Sequence, residues 1–285
     1  MVQHGSSRNA LTYFDGQWLE GNPGIFGPMT HAVWLGSLVF DGARAFEGTT
    51  PDLDRHCSRT VRSAEAMGLG TPVGADEILN LAEDGVGKLP EGKALYIRPM
   101  FWATAGFIAP DPETTQFALS VYESPLPDIQ GVSCSIASKR RPTPETAPTT
   151  AKAACLYPQS GLAIAEARSR GFENAIVLDA VGNVAELASA NVLAAKDGVV
   201  FTPIPNGCFL DGITRQRVIG LLRDDGVEVV ERTVTTRDLL EADEVFSTGN
   251  YWKVVPITRI EDQHYQPGRF YKRARELYWD YAHSA

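Results

Sequence analysis

Pro148-Thr149-Thr150-Ala151-Lys152-Ala153 is a run of small residues around one lysine, and it leads into a helix-like segment from Tyr157 to Arg170. Glu186 and Asn191 follow, five residues apart, and then Leu210-Asp211-Gly212-Ile213-Thr214-Arg215. A lone lysine is ordinarily a solvated surface residue. Here the alanines flanking Lys152 leave room for a flat ring, and Glu186 sits in an apolar stretch. The segment Ile213 to Arg223 reads as a helix opening on Gly-Ile-Thr, where backbone N–H groups without intrahelical acceptors make a phosphate seat. An amine for a Schiff base, an acid partner for a ring nitrogen and N–H groups for a phosphate are the contacts that pyridoxal 5'-phosphate needs.

Composition sets the outer limits. The 285 residues carry a net charge of -9, which argues against nucleic acid as a partner, because phosphate neutralisation needs clustered Lys and Arg. No run approaches the roughly 20 apolar residues of a membrane span. The stretch Met1 to Ala10 is polar and lacks a signal core, so a cytoplasmic enzyme is expected. Cys57, Cys134, Cys155 and Cys208 are scattered without a Cys-x-x-Cys, which reads as reduced thiols. The five histidines show no metal-ligand spacing, so no metal is expected.

The pattern of elements predicts an α+β chain. Strands lie at Thr12 to Trp18 around an Asp15-Gly16 turn, and a Val33 to Phe46 segment includes strand-like Val39-Phe40. Helices follow at Asp54 to Met67 and Ala75 to Glu83, then strands at Ala94 to Trp102 and Thr115 to Tyr122. Glu123-Ser-Pro-Leu-Pro-Asp128 reads as a linker, because two prolines deny ladder and helix hydrogen bonds. The expected organisation is an N-terminal domain 1–122, a linker 123–131 and a C-terminal domain 132–285 carrying Lys152, with the site in a cleft between them.

Other side chains are candidates with two readings each. Arg55, Arg59 and Arg62 share one helix face, which is either a solvated basic face or a phosphate ligand where one turns inward. Tyr96 and Arg98 project to the same side of a strand, as carboxylate readers or as a structural pair. Glu186 could equally be an edge-strand residue facing water, and Asn191 a strand-start amide or a group orienting Glu186. Asp211 could simply cap a structural helix.

With Lys152, Glu186 and Gly212-Ile213-Thr214 in place, the chain resembles the class-IV aminotransferases, the fold-type-IV pyridoxal-phosphate enzymes with a two-domain, D-amino-acid-aminotransferase-like architecture. Among them it is most similar to branched-chain aminotransferases: Val39-Phe40-Asp41-Gly42 resembles their Val-Phe-Glu-Gly, and Tyr96-Ile97-Arg98-Pro99 matches their Tyr-Ile-Arg-Pro. The resemblance implies Lys152 as the Schiff-base lysine and Glu186 as the pyridine partner. It implies Arg59, Gly212, Ile213, Thr214 and Asn250 at the phosphate, and Tyr157 at the phenolic oxygen. Leu35, Phe40, Tyr96, Arg98, Tyr251 and Trp252 would line the substrate pocket. It further implies a homodimer that moves an amino group from a small-molecule donor, best a branched-chain L-amino acid, to a 2-oxo acid such as 2-oxoglutarate. The chain departs from the branched-chain pattern twice: Trp34-Leu35-Gly36 stands for His-Tyr-Gly, and Thr248-Gly249-Asn250-Tyr251-Trp252 for Ser-Gly-Thr-Ala-Ala. These departures motivate the alternative of an (R)-selective amine or D-amino-acid transaminase. The aminodeoxychorismate lyases share the scaffold, and a non-catalytic binding protein is the reading from another class.

Overall fold

Asp15 and Gly16 both adopt positive φ, 50° and 77°, the geometry of the two-residue turn whose twist matches paired strands. They join β1 (Ala10–Phe14) to β2 (Gln17–Glu20) with Phe14 opposite Gln17. The computed structural model of the chain describes residues 9–127 and 130–284. Residues 1–8 of the polar N-terminus, Asp128 and Ile129 of the expected linker, and residue 285 lie outside the described residues. Backbone proximity separates two units: the described residues through Leu126 with Thr150–Cys155, and Pro127–Thr149 with Leu156–Ser284.

The first unit continues with α1 (His31–Leu35), β3 (Leu38–Phe40), β4 (Ala43–Ala45), α2 (Leu53–Ala66), α3 (Ala75–Gly87), β5 (Leu95–Ala103) and β6 (Thr115–Glu123). Its sheet is antiparallel in the order β2-β1-β6-β5-β3, with β4 also on β5. Leu95 and Ile97 are buried while Tyr96 and Arg98 are half-buried, the period-two alternation of a strand with one face on the core. Helix α2 turns Leu53, Cys57, Thr60 and Ala64 inward, at spacings of three and four residues.

Three expectations need correction. The Val33 to Phe46 stretch is not one segment, because Gly36 in a left-handed conformation ends the five-residue α1 before β3 begins. Glu123 and Ser124 are not linker: Glu123 closes β6, and Ser124 is buried, its N–H donated to Ala94 O at 2.8 Å. The Lys152 segment groups with the first unit rather than with residues 132–285. Phe40 N donates to Lys152 O at 3.1 Å, Lys152 N donates to Ser63 Oγ at 3.0 Å, and Val39 forms an antiparallel bridge with Ala153.

The second unit comprises β7 (Val132–Arg140), α4 (Tyr157–Ser169), β8 (Asn174–Leu178), β9 (Val184–Leu187), β10 (Asn191–Lys196), β11 (Val199–Pro203), α5 (Ile213–Asp224), β12 (Val229–Arg232), α6 (Thr236–Leu240), β13 (Glu244–Gly249), β14 (Lys253–Ile260), β15 (Gln263–His264) and α7 (Arg269–Ser284). The sheet order is β12-β11-β10-β13-β14-β7-β8-β9, with β15 added to β14. Strand β7 runs parallel to both β14 and β8. Leu187, Val192, Ala194, Val245, Val255 and Ile257 are among the residues of one apolar core. Ala163 and Ala167 of α4 meet Ala175 and Val177, small side chains that let helix and sheet approach closely. The buried Glu244 carboxylate accepts the N–H groups of Phe270 and Tyr271 and so closes the first turn of α7. Among the described residues no helix is long and apolar enough to cross a membrane.

Candidate active site

Within the second unit the candidate residues converge on Asn191. All four residues of β9 are buried, so Glu186, 4% exposed, is not a water-facing edge residue. One of its carboxylate oxygens accepts from Arg141, whose other terminal nitrogen donates to Ser160 Oγ at 3.2 Å. The other oxygen accepts from Asn191 Nδ2 at 3.3 Å, and the same Nδ2 donates to Leu210 O at 3.0 Å. Asn191 therefore does orient Glu186, and it ties that carboxylate to the loop ahead of α5. A side chain at Gly212 would put its Cβ 2.2 Å from Asn191 Oδ1 and so would push the Asn191 amide off its bonds.

Helix α5 starts without a side-chain cap. Gly212 is the N-cap, and Asp211 instead accepts from Arg215 Nη1 at 2.7 Å. The buried Arg215 also donates to Pro203 O and Glu231 Oε2, at 2.8 and 2.9 Å, and so fixes the loop on which Ile213 and Thr214 present their N–H groups. Opposite Asn191 across the sheet stands Thr248, fully buried. Neither its Oγ1 nor the buried Nδ2 of Asn250 has a hydrogen-bond partner among the described residues. Each such group costs about 1–3 kcal/mol if left unmet. Two unmet buried polar groups, one on the strand residue opposite Asn191, fit a bound oxyanion, and the phosphate of pyridoxal phosphate is of that kind. Tyr157, the first residue of α4, is 39% exposed. In the turn that follows Asn250, the rings of Tyr251 and Trp252 lie 6.0 Å apart and Trp252 packs on the apolar core.

In the first unit the backbone of Lys152 is held on both sides by the bonds to Ser63 and Phe40, between the buried Ala151 and Ala153. Its Nζ lies 5.1 Å from the centroid of the Phe40 ring. Of the three arginines on α2 only Arg59 turns fully inward: Arg62 is exposed, and Arg55, half-buried, meets Asp52 at 3.6 Å. Arg59 Nε and Nη2 donate to the two oxygens of Asp41, at 2.6 and 2.8 Å, and His56 Nδ1 lies 2.7 Å from Asp41 Oδ1. Burial alone would raise the Asp41 carboxyl, but the charges and hydrogen bonds of Arg59 and His56 outweigh it and hold the group well below the usual carboxylate range.

Arg98 donates to the Tyr122 hydroxyl, and its guanidinium lies over the rings of Tyr96 and Tyr122, 5.4 and 5.0 Å from their centroids. Tyr96 stacks on Tyr122. Leu35 is 39% exposed at the end of α1. The candidate pocket residues thus divide, Leu35, Phe40, Tyr96 and Arg98 in the first unit, Tyr251 and Trp252 in the second. All four cysteines are free, and burial pushes Cys57 up to about 12, so it is an inert thiol at neutral pH. Among the described residues no group of three or more His, Cys, Asp or Glu is placed to hold a metal ion. Pattern reading passed over Arg141, Tyr122 and the Asp41–His56 contact, which depend on pairings far apart in sequence. The one available signal was the basic run Lys139-Arg140-Arg141 at the end of a strand.

Known proteins share this framework. The profile of the family described as amino-transferase class IV matches residues 38–260. The chain is similar to an aminotransferase from Brucella abortus whose crystal structure holds the co-factor PLP: 50% identity, 97% of this chain and 100% of that one covered, TM-score 0.95. It is also similar to the branched-chain aminotransferase of Thermoproteus uzoniensis, solved with norvaline, at 29% identity, 96% and 95% coverage and a TM-score of 0.89. A branched-chain-amino-acid aminotransferase of Salmonella typhimurium is 32% identical over 269 residues, 90% of this chain and 87% of that protein. A profile match through most of the chain, carried by the fold that holds Lys152, Glu186 and the Gly212 loop, makes this protein a member of the class IV aminotransferases.

Proposed function

We propose that the chain is a pyridoxal-phosphate-dependent transaminase that takes the amino group of a branched-chain L-amino acid and passes it to a 2-oxo acid such as 2-oxoglutarate. The observation that carries this is the Asn191 hub, where one amide joins the buried Glu186 carboxylate to the loop that opens α5. The names of the Salmonella and Thermoproteus relatives support the substrate class. Bound pyridoxal phosphate supplies an electron sink conjugated to the substrate α-carbon.

The protein's own groups do the rest. Lys152 Nζ would hold the cofactor, and its amine would move the proton that leaves the substrate α-carbon. Glu186, oriented by Arg141 and Asn191, would accept the pyridine N–H and keep that nitrogen protonated. The N–H groups of Ile213 and Thr214, the Thr214 hydroxyl, the Asn250 amide and the Arg59 guanidinium would take the phosphate, with Gly212 giving the backbone access. Tyr157 would donate to the phenolic oxygen. Phe40, Tyr96, Arg98, Leu35, Tyr251 and Trp252 shape the substrate pocket.

The test is a half-reaction followed by the visible absorption of the bound cofactor. With L-leucine the resting band is expected to disappear rapidly, and with D-alanine or (R)-1-phenylethylamine it is expected to persist. A second reading has its own motive: Leu35 and the Tyr251-Trp252 pair stand where branched-chain enzymes carry a tyrosine and two alanines. Loss of the band with the D-amino acid or the (R)-amine, and not with L-leucine, would overturn the branched-chain assignment in favour of that reading.

We further propose a cytoplasmic homodimer. Trp34, Phe107 and Ile108 of the first unit are 58, 81 and 76% exposed. His31 N donates to Thr104 O, which brings α1 beside the 104–110 loop, and these exposed apolar side chains suit a second copy. Light scattering on the half-reaction sample checks this directly, and a one-chain mass would refute it.

A further inference from the structure

Lys253 is a charged side chain with no exposed surface, in a backbone conformation that favours glycine. Asn250-Tyr251-Trp252 joins β13 to β14, and Gly249 pairs with Lys253 at the mouth of this hairpin. Three-residue hairpin loops commonly close on a residue in the left-handed region, most easily a glycine. Lys253 takes that place at φ 62°. Burial of an ammonium and a strained backbone are both unfavourable, so the position needs a compensating contact.

Its Nζ makes such a contact. Lys253 Nζ donates to Asn250 Oδ1 at 2.8 Å. An ammonium has N–H donors and no lone pair, so it can hold only the oxygen side of an amide. The Asn250 Nδ2 is thereby turned the other way, and there it is buried without a hydrogen-bond partner among the described residues. Thr248 Oγ1, two residues earlier and fully buried, is unmet in the same way. Thr248 lies across the sheet from Asn191, and Asn191 touches Gly212 at the start of α5.

We propose that Lys253 is a positioning residue for the cofactor phosphate: it locks the Asn250 amide with its N–H groups toward the anion and polarises them as donors. This rests on the pyridoxal-phosphate reading above. An amide left to itself can present either its oxygen or its nitrogen, and an oxygen facing a phosphate repels it. With its oxygen held by a cation, Asn250 becomes a dedicated donor, and its N–H groups are strengthened by the charge behind them.

The experiment compares pyridoxal phosphate with pyridoxal, which lacks the phosphate, by titrating the full chain stripped of cofactor. Lys253→Met, close in volume and apolar, is expected to weaken pyridoxal phosphate about tenfold, the size of one charge-assisted hydrogen bond, and to leave pyridoxal unchanged. Lys253→Gln keeps an N–H donor and is expected to recover part of the loss. On an Asn250→Ala background, Lys253→Met is expected to add little, because its effect passes through Asn250. Unchanged affinity for pyridoxal phosphate, an equal loss for both ligands, or fully additive losses would each overturn the proposal. If Lys253→Met does not fold, Lys253→Gln carries the same comparison: a phosphate-selective loss supports the assignment and an equal loss overturns it. A wild-type chain that binds neither ligand would overturn the transaminase reading itself, an outcome distinct from all of these.

Discussion

Lys152→Ala is expected to lower transamination by more than about 10^4-fold, because the lysine is proposed as both the covalent anchor and the proton carrier, and general acid–base catalysis alone contributes up to about that factor. The fold is expected to survive. The backbone of residue 152 is held by its N–H to Ser63 Oγ and by its carbonyl from Phe40 N–H, and alanine keeps both. The flanking Ala151 and Ala153 carry the burial of the segment. The substitution removes the ammonium over the Phe40 ring, a contact worth about 0.5–1 kcal/mol where it is partly exposed. Steady-state rates read against a thermal melt separate the two effects, and a Lys152→Ala variant within tenfold of the wild-type rate would remove the lysine from the chemistry. Lys152→Arg sharpens the comparison. It keeps the cation over Phe40 but is always protonated, so it is expected to melt like the wild type and to turn over as poorly as alanine.

What could be read from sequence divides along physical lines. Features set by local chemistry were legible: the Asp15-Gly16 hairpin, the helices stopped by Gly68 and Gly171, and the lysine, carboxylate and Gly-Ile-Thr opening in their order along the chain. Features set by pairing between distant segments were not. Arg141 reaches Glu186 across 45 residues and Asp41 meets Arg59 across 18, contacts that exist only once the strands are in register. The lysine segment illustrates the same limit. Its sequence neighbours suggest membership of residues 132–285, yet its backbone partners are Phe40 and Ser63 in the first unit. Helix α1 went unseen because five residues are too few for a periodic pattern to register. Lys253 was passed over for a related reason: nothing in its neighbours' identities signals that its backbone is left-handed and its side chain buried.

The largest stability effect is expected at Asp41, which the sequence offers only as a variant of a glutamate motif. Asp41 is fully buried and meets Arg59 through two hydrogen bonds and His56 through a third. Asp41→Asn keeps the shape and removes the charge, leaving the Arg59 guanidinium buried beside a neutral amide. Breaking a buried pair from one side costs about 3–5 kcal/mol. For a chain of this size that is a fall in Tm of roughly 10 °C. The pH dependence has a definite sign. The folded carboxyl titrates below its unfolded value near 3.9, so its contribution is present above about pH 4 and is lost as pH falls toward the folded value. Wild-type protein should therefore lose stability between about pH 5 and 3 more steeply than Asp41→Asn, whose residue 41 has no proton to gain. Parallel curves for the two proteins through that window, or an Asp41→Asn melt within 2 °C of wild type at pH 7, would show that the Arg59 charge is stabilised from elsewhere. The same variant should also weaken cofactor retention, because Asp41 holds in place the guanidinium proposed to meet the phosphate. Adding pyridoxal phosphate to Asp41→Asn should then recover less Tm than it adds to wild type, since ligand stabilisation scales with the logarithm of affinity.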